Sequence, residues 1–281
     1  MSGISGESAA SGAGSAGTAS NAKRAGKAGE SKNAANSMRA RKTGSKGRTS
    51  KPVPASELQE SLLQKYRCIA GMDEVGRGCL AGPVAVGVVV IDRDSGMAPA
   101  GLADSKQLSP VARQKMVLPI LEWVRASAVG YASPQEIDTR GIIYALQLAG
   151  NRALHLVGRQ LVALGAEPVE HVLLDGKHNW LDPTGSVSTQ VKADATSELV
   201  AAASILAKVE RDAWMQRLPD PGYDWRQNKG YASPAHVRGL GELGVSSQHR
   251  SSWKLPGVTP EREQLGGSRV FFGEGEVKPG R

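Results

Sequence analysis

The stretch Ile69-Ala70-Gly71-Met72-Asp73-Glu74-Val75-Gly76-Arg77-Gly78 decides how the rest of the chain is read. An apolar run of β-strand type ends in two adjacent carboxylates, and a glycine-flanked arginine follows at once. Acids at the end of a buried strand are costly unless they are paired or bind a cation. Glycines beside them let backbone come close to a ligand. Together they point to a metal and a phosphate. A second apolar run, Val84 to Ile91, lies a short Gly-rich link away, which predicts an antiparallel strand pair.

Outward from this segment, the apolar runs end repeatedly in acids. His171 to Leu174 leads into Asp175-Gly176, and Val187 to Val191 leads into Lys192-Ala193-Asp194. Carboxylates at several strand ends can converge where the chain leaves a sheet. Asp73, Glu74, Asp175 and Asp194, with no His or Cys among them, would form a hard-oxygen site suited to Mg2+ or Mn2+. Two such ions about 4 Å apart can activate a water and stabilise the leaving oxygen in phosphodiester cleavage. Any single Asp at a strand end is more often a turn former or cap. Asp92, Asp94, Asp138, Asp182 and Asp212 are assigned to that plainer role.

Helical patterns alternate with the strands. Ser56 to Tyr66 is a short amphipathic helix, and Ser109-Pro110 caps a helix running to about Ser127 with a kink expected at Pro119. Ala128 to Ala132 is a short third strand. Ser133-Pro134 opens a helical pattern that continues from Ile137 through Leu164, Glu198 to Arg217 is an Ala-rich helix, and Ser233-Pro234 starts a last one that stops at Gly241 or Gly244. Early strands followed by alternating helices and strands predict an α/β fold, a mixed sheet with helices packed on it.

Charge is unevenly placed. Residues 1–51 hold ten Lys/Arg and two Glu, and so carry the whole net charge of +8. The remainder balances 25 basic against 25 acidic groups, so it is not a generally basic nucleic-acid binder. The first 51 residues are Ala-, Gly- and Ser-rich with Ile4 as their one branched apolar residue, a composition that predicts disorder. Three readings of this tail stay open: a non-specific nucleic-acid arm, a dispensable extension with Met38 as another start, or an organelle transit peptide. Cys68 and Cys79 fit reduced core thiols of a cytoplasmic protein. The longest apolar stretch falls far short of the roughly 20 residues that span a bilayer. No obvious apolar interface stripe is left over, which predicts a monomer. No Ser or Cys pairs with a His in a nucleophile motif.

Three further loops are candidates for substrate contact. Gly76-Arg77-Gly78 could bring backbone N–H groups to a phosphate or sugar hydroxyl, although Gly-X-Gly is commonly only a tight turn. Ser105 and Lys106, just ahead of a helix, could touch phosphate or be merely solvated. Tyr231, in Lys229-Gly230-Tyr231, could stack on a sugar or base or simply pack.

Taken in order, these blocks resemble ribonuclease HII, the bacterial type 2 ribonuclease H. The resemblance rests on Gly71 to Gly78 with Ala81-Gly82-Pro83-Val84, Asp104-Ser105-Lys106 with Leu108-Ser109, Ile137-Asp138 with Gly141-Ile142, and Leu174-Asp175-Gly176. It continues through Lys192-Ala193-Asp194, Ala201 to Val209, Lys229-Gly230-Tyr231 and His249-Arg250, and covers about residues 66–253. It implies a ribonuclease H-like catalytic domain over 56–218 and a C-terminal helical extension gripping substrate over 219–255, and leaves out the tails, for which composition predicts disorder over 1–55 and flexibility over 256–281. It implies hydrolysis of RNA in RNA–DNA hybrids and incision 5′ of single ribonucleotides in duplex DNA, as in ribonucleotide excision and primer removal. The products would be a 3′-hydroxyl and a 5′-phosphate. Carried over by position, Asp73, Glu74, Asp175 and Asp194 hold two ions, Gly76, Arg77 and Gly78 sense the ribose 2′-hydroxyl, Tyr231 packs near it, and Lys106 contacts substrate. The alternatives are a non-catalytic hybrid binder and a DNA-only nuclease of the same fold. The chain departs from the family at Cys79, where proline is common, at Ser252-Trp253, and at Ala193, where glycine is usual. If that backbone needs a positive φ, Ala193 would shift Asp194.

Overall fold

The computed structural model describes residues 57–181 and 185–258. The expectations for the two tails lie outside these residues. Five strands form one sheet: β1 (Cys68–Val75), β2 (Val84–Asp92), β3 (Ala126–Ala132), β4 (His171–Asp175) and β5 (Val187–Gln190). Their spatial order is β3-β2-β1-β4-β5. The first three strands are antiparallel neighbours, as the short link between β1 and β2 requires, while β4 and β5 add in parallel. The sheet is therefore mixed, and β1 is its centre.

Both faces of the sheet are covered. The period-2 alternation of β1 sends Ile69 and Val75 to one core cluster and Cys68, Ala70 and Met72 to the other. On the first face lies α5 (Glu198–Arg217), supported by α1 (Glu57–Lys65) and α2 (Pro110–Trp123); on the second lies α3 (Pro134–Ala163). Helix α5 sits very close because β1 and β2 offer it glycines. A Cβ on Gly71 would lie 2.5 Å from the Leu199 side chain, and one on Gly87 would lie 2.2 Å from the Ala203 carbonyl. The Ala201-Ala202-Ala203 run keeps the helix side of this contact equally thin.

Helix starts follow the capping signals. Ser109 accepts from the Ala112 N–H, and Ser133 forms a reciprocal capping box with Glu136. One expectation is corrected. Helix α2 stops at Trp123 rather than Ser127, because Val124 turns extended and β3 already begins at Ala126. Pro119 lies within α2, and α3 is interrupted at Gly141, where φ is 79°. The last helix, α7 (Pro234–Leu243), ends at Gly244, also at positive φ. Between the numbered elements already named lie two single-turn pieces, α4 (Ala193–Thr196) and α6 (Trp225–Asn228).

The C-terminal part forms a third core. Tyr223, Trp225 and Leu240 pack with Leu80, Ala81 and Met215, so this extension is built onto the loop that follows β1 and onto the end of α5. An antiparallel bridge between Ala81 and His249 fastens the same two regions. Among the described residues no helix is long and apolar enough to cross a membrane.

Candidate metal centre and substrate-reading loop

Asp73 stands two residues before the end of β1. The parallel register, Met72 beside Leu174, brings Asp175 alongside it at the end of β4. Strand β5 runs parallel to β4, and after it Lys192 adopts a left-handed turn (φ 59°) that starts α4 and swings Asp194 back to the same place. Asp73, Asp175 and Asp194 can each present an oxygen so that all three lie within 4.8 Å of one another. The carboxyl ends of parallel strands are where an α/β sheet collects polar ligands.

Electrostatics in this cluster are unfavourable without a cation. Burial, and then the charges of Asp175, Glu74 and Asp194, push Asp73 up to about 8, against the pull of a hydrogen bond from Ser204. Asp175 is raised by burial and by Asp194. Lys106 supplies partial relief through an ion pair of 2.6 Å from its Nζ to Asp194 Oδ2. Burial disfavours its charge, but Asp194, Asp73 and Asp104 outweigh that and raise its pKa. One flexible, largely exposed ammonium among three acids leaves a net negative, oxygen-only pocket. That donor set fits a hard divalent cation of the Mg2+ or Mn2+ type.

Glu74 flanks this cluster from the other face of β1. Neighbouring residues of a strand face opposite sides, so Glu74 points away from α5. It lines a cavity of about 310 Å³ with Asp175, Lys177, His178 and Trp180, and pairs with Arg77 at 3.3 Å. The structure thus joins three of the four expected carboxylates, with Glu74 flanking them beside Asp175. The concern over Ala193 is also resolved. The positive φ is at Lys192, and Ala193 is a buried helical residue whose N–H donates to Asp175 Oδ1 at 2.7 Å.

The loop Gly76-Arg77-Gly78 leaves β1 immediately beside the cluster. Gly76 has φ 82°, and a Cβ there would strike Arg211 Nε at 2.1 Å. Gly78 has no atom within 4 Å of its Cβ position, so its freedom serves no internal packing. Tyr231 is partly exposed, with Lys208 Nζ 5.9 Å from its ring centroid, and neighbours the Cys79 thiol; burial and Cys79 raise its phenol to about 12.

Ser105 departs from its expected place. It is buried, and its hydroxyl meets that of Ser204 at 2.8 Å, so it braces the serine next to Asp73 rather than facing solvent. Sequence reasoning also missed Ser204, Arg211, Arg250 and Asp138. Asp138, Ser204 and Arg250 lie in blocks that carry the resemblance but showed no role of their own, while Arg211 carried a signal in the helical pattern. It stands four residues from both Ala207 and Met215, inside the buried stripe of α5 where an arginine needs a reason.

With this geometry in view, the comparisons with known proteins agree. The sequence profile of the ribonuclease HII family matches residues 70–256. Ribonuclease HII of Streptomyces griseus is 42% identical over 221 residues, covering 75% of this chain and 89% of its own. That of Thermotoga maritima is 38% identical over 228 residues, covering 80% and 87%. Among solved structures, ribonuclease H2 from Pyrococcus horikoshii superposes with a TM-score of 0.50 at 26% identity, over 67% of this chain and 94% of that one. Ribonuclease HII of Archaeoglobus fulgidus, solved in complex with PCNA, gives 0.50 at 27% identity, over 69% and 98%. A β1-centred mixed sheet with three acids at its strand ends, matched over most of its length by these relatives, places the chain in the ribonuclease HII family of endonucleolytic hydrolases, which cut the RNA strand of RNA–DNA hybrids.

Proposed function

We propose that this protein, besides cutting hybrids, incises duplex DNA on the 5′ side of single embedded ribonucleotides and leaves a 3′-hydroxyl and a 5′-phosphate. The observation that carries this reading is the placement of the glycine loop. Gly76 to Gly78 follow the end of β1 directly, three residues after Asp73, with open space at Gly78 where a sugar edge could approach the backbone. The 2′-hydroxyl is the group that separates RNA from DNA at such a point.

In this reading Asp73, Asp175 and Asp194, with Glu74 beside Asp175, would hold two divalent cations, Mg2+ or Mn2+. When bound, the cations polarise the scissile phosphate and lower the pKa of the attacking water. The chain's own residues do the rest. Lys106, now paired with Asp194, is long and exposed enough to turn to a substrate phosphate once a cation neutralises that acid. Ser105 and Ser204 fix the Asp73 carboxylate from behind. The N–H groups of Arg77 and Gly78 test the ribose, and Tyr231 packs against the neighbouring sugar. Removal of ribonucleotides and RNA primers from DNA in the cytoplasm suits this activity, and the two free, buried thiols suit a reducing compartment.

The test compares a DNA duplex carrying one ribonucleotide with the same duplex made wholly of DNA, in Mg2+ or Mn2+. Cutting of the first alone, 5′ of the ribonucleotide, is expected. Equal cutting of both would remove the ribose-reading role, and hybrid cleavage without cutting at the single ribonucleotide would restrict the enzyme to hybrids.

A further inference from the structure

Arg211 and Arg250 are both fully buried, and among the described residues neither forms an ion pair with a carboxylate. Buried guanidinium groups need partners, and here the partners are backbone carbonyls. Arg211 donates to the oxygens of Pro83 (2.8 Å), Lys229 (2.9 Å) and Ala81 (3.3 Å). Arg250 donates to Gly76 and Arg77, at 2.6 Å each, and to Gly82 at 3.2 Å. Its guanidinium also lies 4.7 Å from the centroid of the Trp253 ring.

The consequence follows from peptide geometry. In a planar trans peptide the carbonyl of one residue and the N–H of the next point in opposite directions. Drawing the Gly76 carbonyl inward turns the Arg77 N–H outward, and drawing the Arg77 carbonyl inward does the same for the Gly78 N–H. Neither of these N–H groups donates to another described residue. Arg250 reaches them from 173 residues along the chain. It is itself locked by the adjacent turn, where the N–H and hydroxyl of both Ser251 and Ser252 donate to Asp138 at 2.6 to 3.0 Å.

We propose that Arg250 is the positioning residue of the ribose-reading loop: from the C-terminal extension it holds two carbonyls inward and so presents two N–H donors to the substrate. The inference rests on the reading above that this loop meets the sugar, and it adds the element that sets the loop's geometry. Lysine keeps the charge but cannot span three carbonyls as a planar fork does.

The experiment uses the full chain and its Arg250→Lys variant on the single-ribonucleotide duplex, with all-DNA duplex as a binding control. The expected result is a rise in KM of about tenfold on the ribonucleotide substrate, the size of losing one or two hydrogen bonds. Affinity for all-DNA duplex, which rests on phosphate contacts, stays as in the parent. A folded variant with unchanged KM overturns the proposal and leaves the ribose-reading loop standing. A parent protein that cuts without regard to the 2′-hydroxyl overturns both. Should Arg250→Lys fail to fold, Asp138→Asn decides the matter, since it loosens the 251–252 turn without touching the buried arginine. Its KM on the ribonucleotide duplex should rise about threefold, as expected for weakening rather than removing a hydrogen-bonded support. No change would again overturn the proposal.

Discussion

The carboxylate cluster and the glycine loop are adjacent in sequence, yet different parts of the chain hold them. Asp73, Asp175 and Asp194 are set by the sheet: parallel register aligns the first two, and the left-handed turn at Lys192 delivers the third. The loop is set from far away, by Arg250 in the C-terminal extension. Cleavage therefore draws on the most cooperative part of the fold, while choice of substrate draws on a few polar bonds to an appended layer. The two should respond differently to mutation.

The hardest blow falls on the cluster. Asp73→Asn keeps the shape of a buried side chain and removes its charge, so cleavage of hybrids and of single-ribonucleotide duplex should fall together, by on the order of a thousandfold or more. The fold should survive, because burial and three neighbouring acids already oppose the Asp73 charge. A variant that still cuts would sink the assignment of Asp73 to the metal. The same cluster can be probed without substrate. Saturating Mg2+ relieves repulsion among the acids, and at a hundred times its dissociation constant it adds about 2.7 kcal/mol of stability. For a domain of this size that corresponds to a rise in Tm of roughly 5–10 °C. Asp73→Asn should abolish most of the rise, and a parent protein whose Tm ignores Mg2+ would contradict a cation site here.

Two glycines seven positions apart sharpen the contrast. Gly71 lies under α5, where a new Cβ would come 2.5 Å from the Leu199 side chain and 2.8 Å from its backbone. Gly71→Ala should lower stability by about 1–3 kcal/mol, the usual range for overpacking. Gly78 opens onto empty space, so Gly78→Ala should change stability by less than about 0.5 kcal/mol. Its cost should appear instead as a higher KM on ribonucleotide-containing duplex, because the methyl group occupies the path of the sugar. Thermal melts and steady-state kinetics on the two variants separate the roles. A large melt shift in Gly78→Ala, with kinetics intact, would reverse them.

The same division explains what could be read in the sequence. Strands β1 and β2, the Ser-Pro helix starts and both ends of α5 follow from local rules, so their residues announce them. The placing of Asp175 at a strand end was visible for the same reason, whereas Asp194 lies in α4, beyond the end of β5, and is delivered by the left-handed turn at Lys192. Even the separation of Glu74 from Asp73 was implicit in the two-residue period of β1, since adjacent residues must face opposite sides. The end of α2 was not visible, because Val124-Arg125-Ala126 contains no breaker and continues the apolar pattern. What local sequence cannot encode is a partner a hundred residues away. Asp138 resembles a turn former, yet its bonds go to Ser251 and Ser252, and Ser105 resembles a loop residue, yet it meets Ser204. Arg250 belongs to the same class, since nothing beside it in the chain shows that it will meet Gly76 and Arg77.

The smallest expected effect concerns residues 1–51, which lie outside the described residues and carry ten basic groups against two acidic ones. If they act as a non-specific arm, they add attraction to any duplex and no preference. Deleting them should then weaken hybrid binding at low salt and flatten the dependence of affinity on salt. At physiological ionic strength the Debye length is about 8 Å, so the loss there should be slight. The preference for a ribonucleotide over deoxyribonucleotide should not move, because a chain that touches only phosphates cannot see the 2′-hydroxyl. Binding titrations of full-length and 52–281 protein across a salt series would show this. A loss that persists at high salt would mean a specific contact, and a changed preference would mean that substrate choice is not confined to the loop and its arginine support.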